Sequence, residues 1–493
     1  YTFSSVLALC SNCDVIAIIC SEVSSRKDLL SLGLASKKFL GPALDVLWKN
    51  MSSIKPLLCV LPEATLVNGK KVFLRPIAPS SWDRLHFYTS RVREFNEPRW
   101  INERTIPPSV YAYLGQGKPI FPRLRTLQLT HRSCNSSSFT LFLATSLQVV
   151  SWPCDLPRFS FESDSRSEFD LGSSLALLVS KSPGLKSLTL KSYTYSGLSL
   201  SLSCLRALEN LNVMALSHLE MGFIQTVALL PRLTYLSLSL PAGIFLDYTG
   251  VEIGFPSLTK FQLKGSPLDL HKLLAALRPQ ALQDLTLHWE FEDVADPPLA
   301  DFAAVTCILP SFPFLRRLRI VQQSRSFSPG DLDELQLWSI FEPLLELKRL
   351  EYLDYSTPLP LSDQNTARIS HAWPHLEDLD LDLCSIGDLP PLQSLIHFAR
   401  HCPKLKVLSY PIQLGATLSA VIQIPPTVLM HPLTHFWCDV EDDTMNATAI
   451  ALGLHQIFPN LVQAGGAGDG WAEVEGILKS FIFLRNQNRQ LQE

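Results

Sequence analysis

Two acidic runs and one cysteine pair are the residues of this 493-residue chain whose spacing could support chemistry. The carboxylates of Trp289-Glu-Phe-Glu-Asp293 and Glu377-Asp-Leu-Asp-Leu-Asp382 could bind a metal ion or act as general acids and bases. Cys10 and Cys13 have the spacing of a zinc-binding pair. A zinc site needs further ligands, and no second such pair or His-x-x-x-His follows. We therefore expect ordinary thiols, no metal and no cofactor.

The sequence also lacks the short motifs of common catalytic sites. It contains no HExxH, no GxSxG, no Walker loop and no dinucleotide fingerprint after a strand. Strand-like alternation in the second acidic run separates Asp378 and Asp380 from the leucines, which suits a protein-binding patch as well as a metal site. The chain is therefore expected to have no catalytic residues and not to be an enzyme.

The elements that must position these carboxylates belong to a repeat. The phrase Pro-x-Leu-x-x-Leu-x-Leu, or a close variant of it, begins at Pro122, Pro183, Pro231, Pro256, Pro313, Pro374 and Pro403. With degenerate copies, its first leucine recurs as Leu124, Leu147, Leu185, Leu208, Leu233, Leu258, Leu282, Leu315, Leu350, Leu376, Leu405, Leu433 and Leu461. These thirteen markers span 337 residues in twelve steps of about 28 residues, which is typical of leucine-rich repeats.

Amphipathic helices precede many of these markers. Residues 223–230, 270–277, 392–402 and 448–458 each place apolar side chains at helical spacing just before a proline. Each repeat would then be a helix, a proline turn and a short strand, and neighbouring repeats would bury one another. The predicted fold class is α/β, a leucine-rich-repeat solenoid (horseshoe) preceded by a small three-helix domain.

The polar positions of the strands form the predicted binding surface. The two residues beside the middle leucine of each phrase point away from the core, onto the concave face. Aromatic, arginine and charged side chains there are typical of interfaces. The predicted substrate-binding residues are Tyr235, Lys260, Arg317, Arg319, Tyr352, Asp354, Asp378, Asp380 and Trp437. The alternative is that they are ordinary solvated strand residues.

Residues 6–50 do not fit the repeat and are expected to form three short helices, the second of them capped by Asp28. Within them, Asp14-Val-Ile, Lys27-Asp-Leu-Leu, Ala35-Ser-Lys-Lys-Phe39 and Pro42-Ala-Leu-Asp-Val-Leu-Trp48 resemble an F-box, closest to fungal (basidiomycete-type) F-box proteins with leucine-rich repeats. The Leu-Pro that usually opens an F-box is absent, and Cys10-Ser-Asn-Cys13 stands in its place.

The resemblance implies a substrate-recognition subunit of an SCF-type ubiquitin ligase, whose F-box docks on the Skp adaptor while the repeats hold a protein substrate. The implied adaptor-binding residues are Val15, Ile16, Ile19, Val23, Leu29, Leu30, Leu34 and Trp48. The alternative is a leucine-rich-repeat protein-binding scaffold that is not linked to ubiquitin transfer and whose first helices only cap the array.

The predicted domains are an F-box-like domain at 6–50, a linker and N-terminal cap at 51–120, about thirteen irregular repeats at 121–465, and a capping helix at 466–493. In the cap, Trp82, Leu85, Tyr88, Val92 and Phe95 predict one helical stripe. The glycine-rich residues 464–470 are expected to be flexible, and 471–489 to form the closing helix.

The overall composition restricts the classes of partner that the chain is expected to bind. The net charge of −4 and pI near 6.3 argue against nucleic acid, and no run approaches the roughly 18 apolar residues that a membrane span requires. The eleven cysteines are an odd number scattered along a long chain, which suits reduced thiols. We therefore expect a cytoplasmic and/or nuclear protein with protein partners.

Overall fold

The computed structural model describes most of the chain. The described residues are 13–97, 106–115, 119–129, 139–153, 171–191, 198–214, 221–240, 252–289, 299–322, 334–357, 359–381, 385–414, 431–440, 445–468 and 470–490. The chain divides into two compact units, Tyr1–Leu233 and Thr234–Glu493.

The first unit begins with three helices and continues as a series of short strands and helices. Its elements are α1 Cys13–Glu22, α2 Arg26–Ala35, α3 Lys37–Lys49, β1 Asn50–Met51, α4 Lys55–Val60, β2 Ala64–Val67, β3 Lys70–Phe73, α5 Pro79–Thr89, β4 Glu94–Asn96, α6 Pro108–Leu114, β5 Thr126–Gln128, β6 Val149–Pro153, α7 Leu171–Lys181, β7 Ser187–Lys191, α8 Leu198–Ser203, β8 Asn210–Met214 and α9 Met221–Ala228. Strands β1, β4, β5, β6, β7 and β8 pair in that order, all parallel, while β2 and β3 form an antiparallel hairpin.

Helices α1 to α3 share a small core made of Ile16, Cys20, Leu29 and Ala43. The serine before each of the second and third helices caps it: Ser25 accepts the N–H of Asp28, and Ser36 accepts that of Lys38. The prediction that Asp28 caps the second helix is therefore wrong. Asp28 lies in the first turn, because Ser25 has the extended backbone and the short hydroxyl side chain that a cap requires.

The repeat begins earlier than the sequence indicated. Strands β1 and β4 belong to the same parallel series as β5, although both lie outside the predicted repeat region. The predicted helical stripe from Trp82 to Phe95 is broken, because α5 ends at Thr89 and Phe95 lies in β4. Val92 and Phe95, both buried, occupy the places that leucines take in later repeats.

The second unit repeats the strand–helix pattern more regularly. Its elements are β9 Tyr235–Ser239, β10 Lys260–Gly265, α10 Pro267–Ala276, β11 Asp284–Trp289, α11 Leu299–Ile308, β12 Arg317–Gln322, α12 Glu334–Phe341, β13 Tyr352–Tyr355, β14 Leu359–Pro360, α13 Asp363–Ala372, β15 Asp378–Asp380, β16 Ser385–Ile386, α14 Leu395–His401, β17 Val407–Ser409, β18 His435–Cys438, α15 Ala447–Ile457, β19 Gln463–Gly466 and α16 Gly470–Gln490. Strands β9 to β13, then β15, β17, β18 and β19, pair in that order, all parallel.

The marker leucines explain why this architecture forms. All thirteen are buried, with at most 1% of the side chain exposed, and each lies two residues before the first residue of a strand. Full burial of a leucine contributes roughly 1.5–3 kcal/mol, and a single repeat has no second layer to supply it. Helices of successive repeats pack on one another, as α10 does on α11 and α13 on α14. The leucine-rich-repeat fold is thereby confirmed, and so are the helices predicted before residues 231, 279, 403 and 459.

Candidate functional site

Strand register places most of the predicted substrate-binding residues side by side in the second unit. Direct partners on the neighbouring strands β10, β11, β12, β13 and β15 are Lys260, Asp284, Arg317, Tyr352 and Asp378. A second row lies two residues further along the same strands and consists of Gln262, Thr286, Arg319, Asp354 and Asp380. We call the charged members of both rows, together with Tyr352, the charged strand face.

The centre of this face is a pair of arginines around one tyrosine. Arg319 donates from Nε to Oδ2 of Asp354 at 2.6 Å and from Nη2 to the hydroxyl oxygen of Tyr352 at 2.8 Å. The guanidinium carbon of Arg317 lies over the Tyr352 ring, 4.4 Å from its centroid, which is a cation–π contact. Both arginines are thereby held in fixed positions, with about half of each side chain exposed to solvent.

A carboxylate that was not assigned from the sequence completes the first row. Asp284 Oδ2 lies 3.8 Å from Nζ of Lys260 and 4.0 Å from Nε of Arg317. It therefore joins the cations on both neighbouring strands. Its degenerate phrase, Leu282-Gln-Asp-Leu285, placed it at a strand position that faces out, which is the signal that could have identified it.

The negative end of the face has unfavourable electrostatics. Burial raises the pKa of Asp354, the Arg319 guanidinium opposes that rise, and the nearby Asp380 adds to it. Burial also raises the pKa of Asp378, with further contributions from Asp380 and Asp354. Three carboxylates on two adjacent strands thus repel one another. A cation supplied by a partner would relieve that repulsion.

Tyr235 and Trp437 lie away from this centre. The Tyr235 hydroxyl donates to Oε1 of Gln262 at 3.1 Å, and its strand is three strands from that of Arg317. Trp437 belongs to the second row, two strands beyond Asp380, and 37% of it is exposed. Its indole lies over Gly465, where a Cβ atom would overlap the ring. Trp437 thus offers a half-exposed aromatic face to a partner.

The residues predicted to contact an adaptor separate into three groups. Ile19, Leu30 and Leu34 are exposed, by 41%, 54% and 75% respectively. Ile16 and Leu29 form part of the three-helix core, so the prediction that they contact a partner is corrected: their side chains are already used in packing. Three further predicted residues are half-buried: Val15, Val23, which packs on the core, and Trp48, whose ring lies 4.7 Å from that of Tyr88.

Two exposed residues of the same helices were missed. Ile18 is 62% exposed and Leu40 is 42% exposed. The run Val15-Ile-Ala-Ile-Ile19 carries apolar side chains on more than one helical face, and that excess is the signal for a second, outward face.

The residues that suggested metal chemistry give no such site in the described part of the chain. No group of three or more His, Cys, Asp or Glu among the described residues is arranged to hold a metal ion. Cys10, residues 290–293 of the first acidic run and residue 382 of the second lie outside the described residues. Within the described ranges, no helix has both the length and the apolar character that crossing a membrane requires.

The known proteins that match this chain are found among solved structures. No protein-family model matches the chain, and no curated protein matches it. Among solved structures, it is similar to an internalin from Listeria monocytogenes at 14% identity and a TM-score of 0.36, over 72% of this chain and 83% of the other. It is also similar to a leucine-rich-repeat protein from Leptospira interrogans at 13% identity and a TM-score of 0.34, over 84% of this chain and 99% of the other.

Proposed function

We propose that this chain is the substrate-recognition subunit of an SCF-type ubiquitin ligase. In this proposal helices α1 to α3 dock on the Skp adaptor, and the charged strand face holds a protein substrate. The chain would perform no catalysis itself, and it would act in the cytoplasm or nucleus.

The observation that carries the proposal is the apolar surface of the three-helix domain. Its exposed members are Ile18, Ile19, Leu30, Leu34 and Leu40, which are between 41% and 75% exposed. By comparison, the core of the domain contains only four fully buried side chains among the described residues. A domain this small rarely buries enough surface to be stable alone. An apolar adaptor surface would supply the missing burial, and it fits the F-box-like residues of the same helices.

Support for substrate binding comes from the fixed arrangement on the charged strand face. Arg317, Tyr352 and Arg319 are held together by cation–π and hydrogen-bond contacts, so little side-chain entropy would be lost on binding. Tyrosine and arginine are enriched among the residues that dominate binding energies. The carboxylates beside them favour a partner segment that carries positive charge.

Co-purification tests the adaptor step. The full chain is co-expressed with the Skp adaptor, isolated through a tag on the chain, and examined for a one-to-one complex. We expect a complex with the unmodified chain and none with the Leu30→Asp, Leu34→Asp double variant. Leu229→Asp is the matched control, because Leu229 is 82% exposed but lies after α9 in the repeats. An unmodified chain that purifies without adaptor, or a double variant that still binds it, would contradict the proposal.

The second candidate is a protein-binding scaffold outside the ubiquitin pathway. The charged strand face favours it equally, because that face lies in the second unit and does not use the three helices. Cross-linking of the full chain to its partners in cells distinguishes the two. A scaffold would cross-link to a partner through the charged strand face, and Arg319→Glu would abolish that cross-link. No adaptor would be cross-linked. Removal of the chain from cells would leave the ubiquitin level of the partner unchanged.

A further inference from the structure

A groove in the first unit brings four cations together beside helix α3. It has a volume of about 500 Å³, and its charged lining consists of Lys49, Arg91, Arg93, Arg125, Asp45 and Glu94. We call it the basic groove. Its lining includes none of the exposed apolar residues of α1 and α2.

The backbone explains why three of these cations converge. The N–H of Arg93 donates to the carbonyl of Lys49 at 2.8 Å, and the N–H of Arg125 donates to the carbonyl of Arg93 at 2.7 Å. The three residues immediately precede the parallel strands β1, β4 and β5, which lie about 4.8 Å apart. Lysine and arginine side chains are longer than that spacing, so all three can reach one small anion.

The positive charge of the groove is only partly compensated by the protein. Arg91 is taken, since its Nε lies 2.9 Å from Oδ1 of Asp45 and its guanidinium lies over the Phe87 ring. Arg93 uses Nη1 to donate to the carbonyl oxygens of Ser90 and Val92. Among the described residues, no carboxylate lies within ion-pair distance of Lys49, Arg93 or Arg125.

Electrostatic repulsion among the cations points in the same direction. Burial lowers the pKa of Arg93, the neighbouring cations Arg123 and Arg125 lower it further, and Asp45 opposes that shift in part. An anion in the groove would reverse both effects, because it would replace lost hydration and separate like charges.

We propose that the basic groove binds a phosphoryl group through Lys49, Arg93 and Arg125. Its charged lining carries a net charge of two positive units, which matches a phosphoryl group of −1.5 to −2 at neutral pH. Guanidinium groups bind such oxygens in pairs, with charge-assisted hydrogen bonds. A single carboxylate would satisfy only half of the charge.

The extent of the cationic row excludes a long nucleic acid. Along the same backbone series the next positions are Gln148, Lys186 and Glu209. Gln148 is neutral, and Lys186 is paired with Glu209 at 3.0 Å. The uncompensated cations therefore span three strands, which suits one compact phosphoryl group and not a polymer with a charge at every step.

Calorimetric titration of the full chain tests this inference with two probes. The first is inorganic phosphate, and the second is a short peptide that contains one phosphoserine. Sulfate and the unphosphorylated peptide are the reference ligands. We expect saturable binding of at least one probe at physiological salt. Binding of phosphate indicates a small phosphorylated molecule, and binding of the peptide alone indicates a phosphorylated protein segment.

Two substitutions tie binding to the groove. Arg125→Gln should raise the dissociation constant about tenfold, which corresponds to the loss of one charge-assisted contact. It removes an exposed side chain that forms no ion pair with any described residue, so the thermal unfolding midpoint should not change. Lys186→Gln, on the same backbone series but paired elsewhere, should bind normally. Absence of binding by both probes, equal binding of sulfate, or full binding by Arg125→Gln would overturn the inference. Adaptor binding plays no part in either readout.

Discussion

Arg319 and Asp354 face each other across adjacent strands β12 and β13, joined by a 2.6 Å hydrogen bond from Nε to Oδ2. The two ends of the pair differ in environment: the Arg319 side chain is 47% exposed and that of Asp354 is 16% exposed. The carboxylate therefore depends on the guanidinium more than the guanidinium depends on it. This asymmetry gives the pair a larger structural role than a surface ion pair has.

Arg319→Gln should lower the free energy of unfolding at pH 7 by about 1 kcal/mol, after allowance for solvent screening of the half-exposed guanidinium. The loss should shrink as the pH is lowered from 7 to 5, because burial already raises the pKa of Asp354, removal of the guanidinium makes the carboxylate easier still to protonate, and protonation removes its uncompensated charge. Urea unfolding at both pH values measures it. Arg316→Gln is the matched control, since its pair with Glu351 is exposed at both ends and should contribute little. Equal losses for the two variants would show that burial of Asp354 has no effect.

Asp378→Asn should stabilise the protein at neutral pH. The folded-state pKa of Asp378 is raised by burial and then by Asp380, so its ionised form opposes folding at pH values above both its folded and unfolded pKa. As pH falls through the raised pKa the wild-type chain regains that stability, and the difference between the two proteins should disappear. We expect a rise in thermal midpoint of about 1–2 °C at pH 7.

Glu377→Gln provides the opposite case beside it. A hydrogen bond from Lys406 lowers the pKa of Glu377, so its ionised form favours folding, and neutralising it should not stabilise the chain. A rise in thermal midpoint for both variants would mean that net charge alone, and not the crowding around Asp378, determines the effect.

His431 should make the protein sensitive to mild acid. It is buried, its Nδ1 accepts the N–H of Leu433, and its Nε2 lies 2.9 Å from the carbonyl of Cys402, so the imidazole fits as the neutral form. Burial lowers its pKa below the usual value, so the unfolded chain binds a proton first as pH falls. Stability should therefore decline from about pH 6.5 downwards.

Thermal unfolding between pH 7.5 and 5 measures this decline. His431→Gln should be less stable at pH 7.5 because two buried hydrogen bonds are lost, but it should show a flatter pH dependence. The exposed His375→Gln should leave both unchanged. An unaltered pH slope in His431→Gln would assign the acid sensitivity to other groups.

The repeat could be predicted because one phrase carries both its spacing and its burial pattern. Register follows from it, since residues at the same place in successive phrases become strand partners, as Arg317 and Tyr352 do. Strand β4 was not predicted because Val92 and Phe95 replace the leucines and no proline precedes them, and in β1 the place of Phe95 is taken by Met51. These positions are still apolar and buried, but they no longer carry the leucines and the proline by which the repeat is recognised.

The contacts between side chains could not be predicted from the sequence. The bond between Arg319 and Tyr352 joins residues 33 positions apart, and sequence shows only that both face outward. In α2, Leu29 and Leu30 are equally apolar, yet Leu29 enters the core and Leu30 is exposed. Which of two adjacent leucines is buried depends on how α3 packs, and helical spacing leaves that open when both faces are apolar.

The glycine-rich residues 464–470 show a further limit of sequence reasoning, and they give a final prediction. They were expected to be flexible, but the first three end strand β19. Gly466 packs so closely that a Cβ atom would overlap the carbonyl oxygen of Cys438 and lie 2.6 Å from Nε1 of Trp471. Trp471, buried at the start of α16, is thereby fixed against β19.

Gly466→Ala should separate α16 from the last strand. Overpacking of this kind typically costs 1–3 kcal/mol, and here the backbone carbonyl cannot yield as a flexible side chain could. Hydrogen exchange and limited proteolysis should show earlier opening of residues 463–490. Gly476→Ala is the matched control, since a Cβ there meets no atom of the described residues within 4 Å and alanine is favoured in a helix by up to about 1 kcal/mol. If α16 is protected from hydrogen exchange and proteolysis equally in Gly466→Ala and Gly476→Ala, the close contact of Gly466 with Cys438 and Trp471 does not hold the closing helix in place.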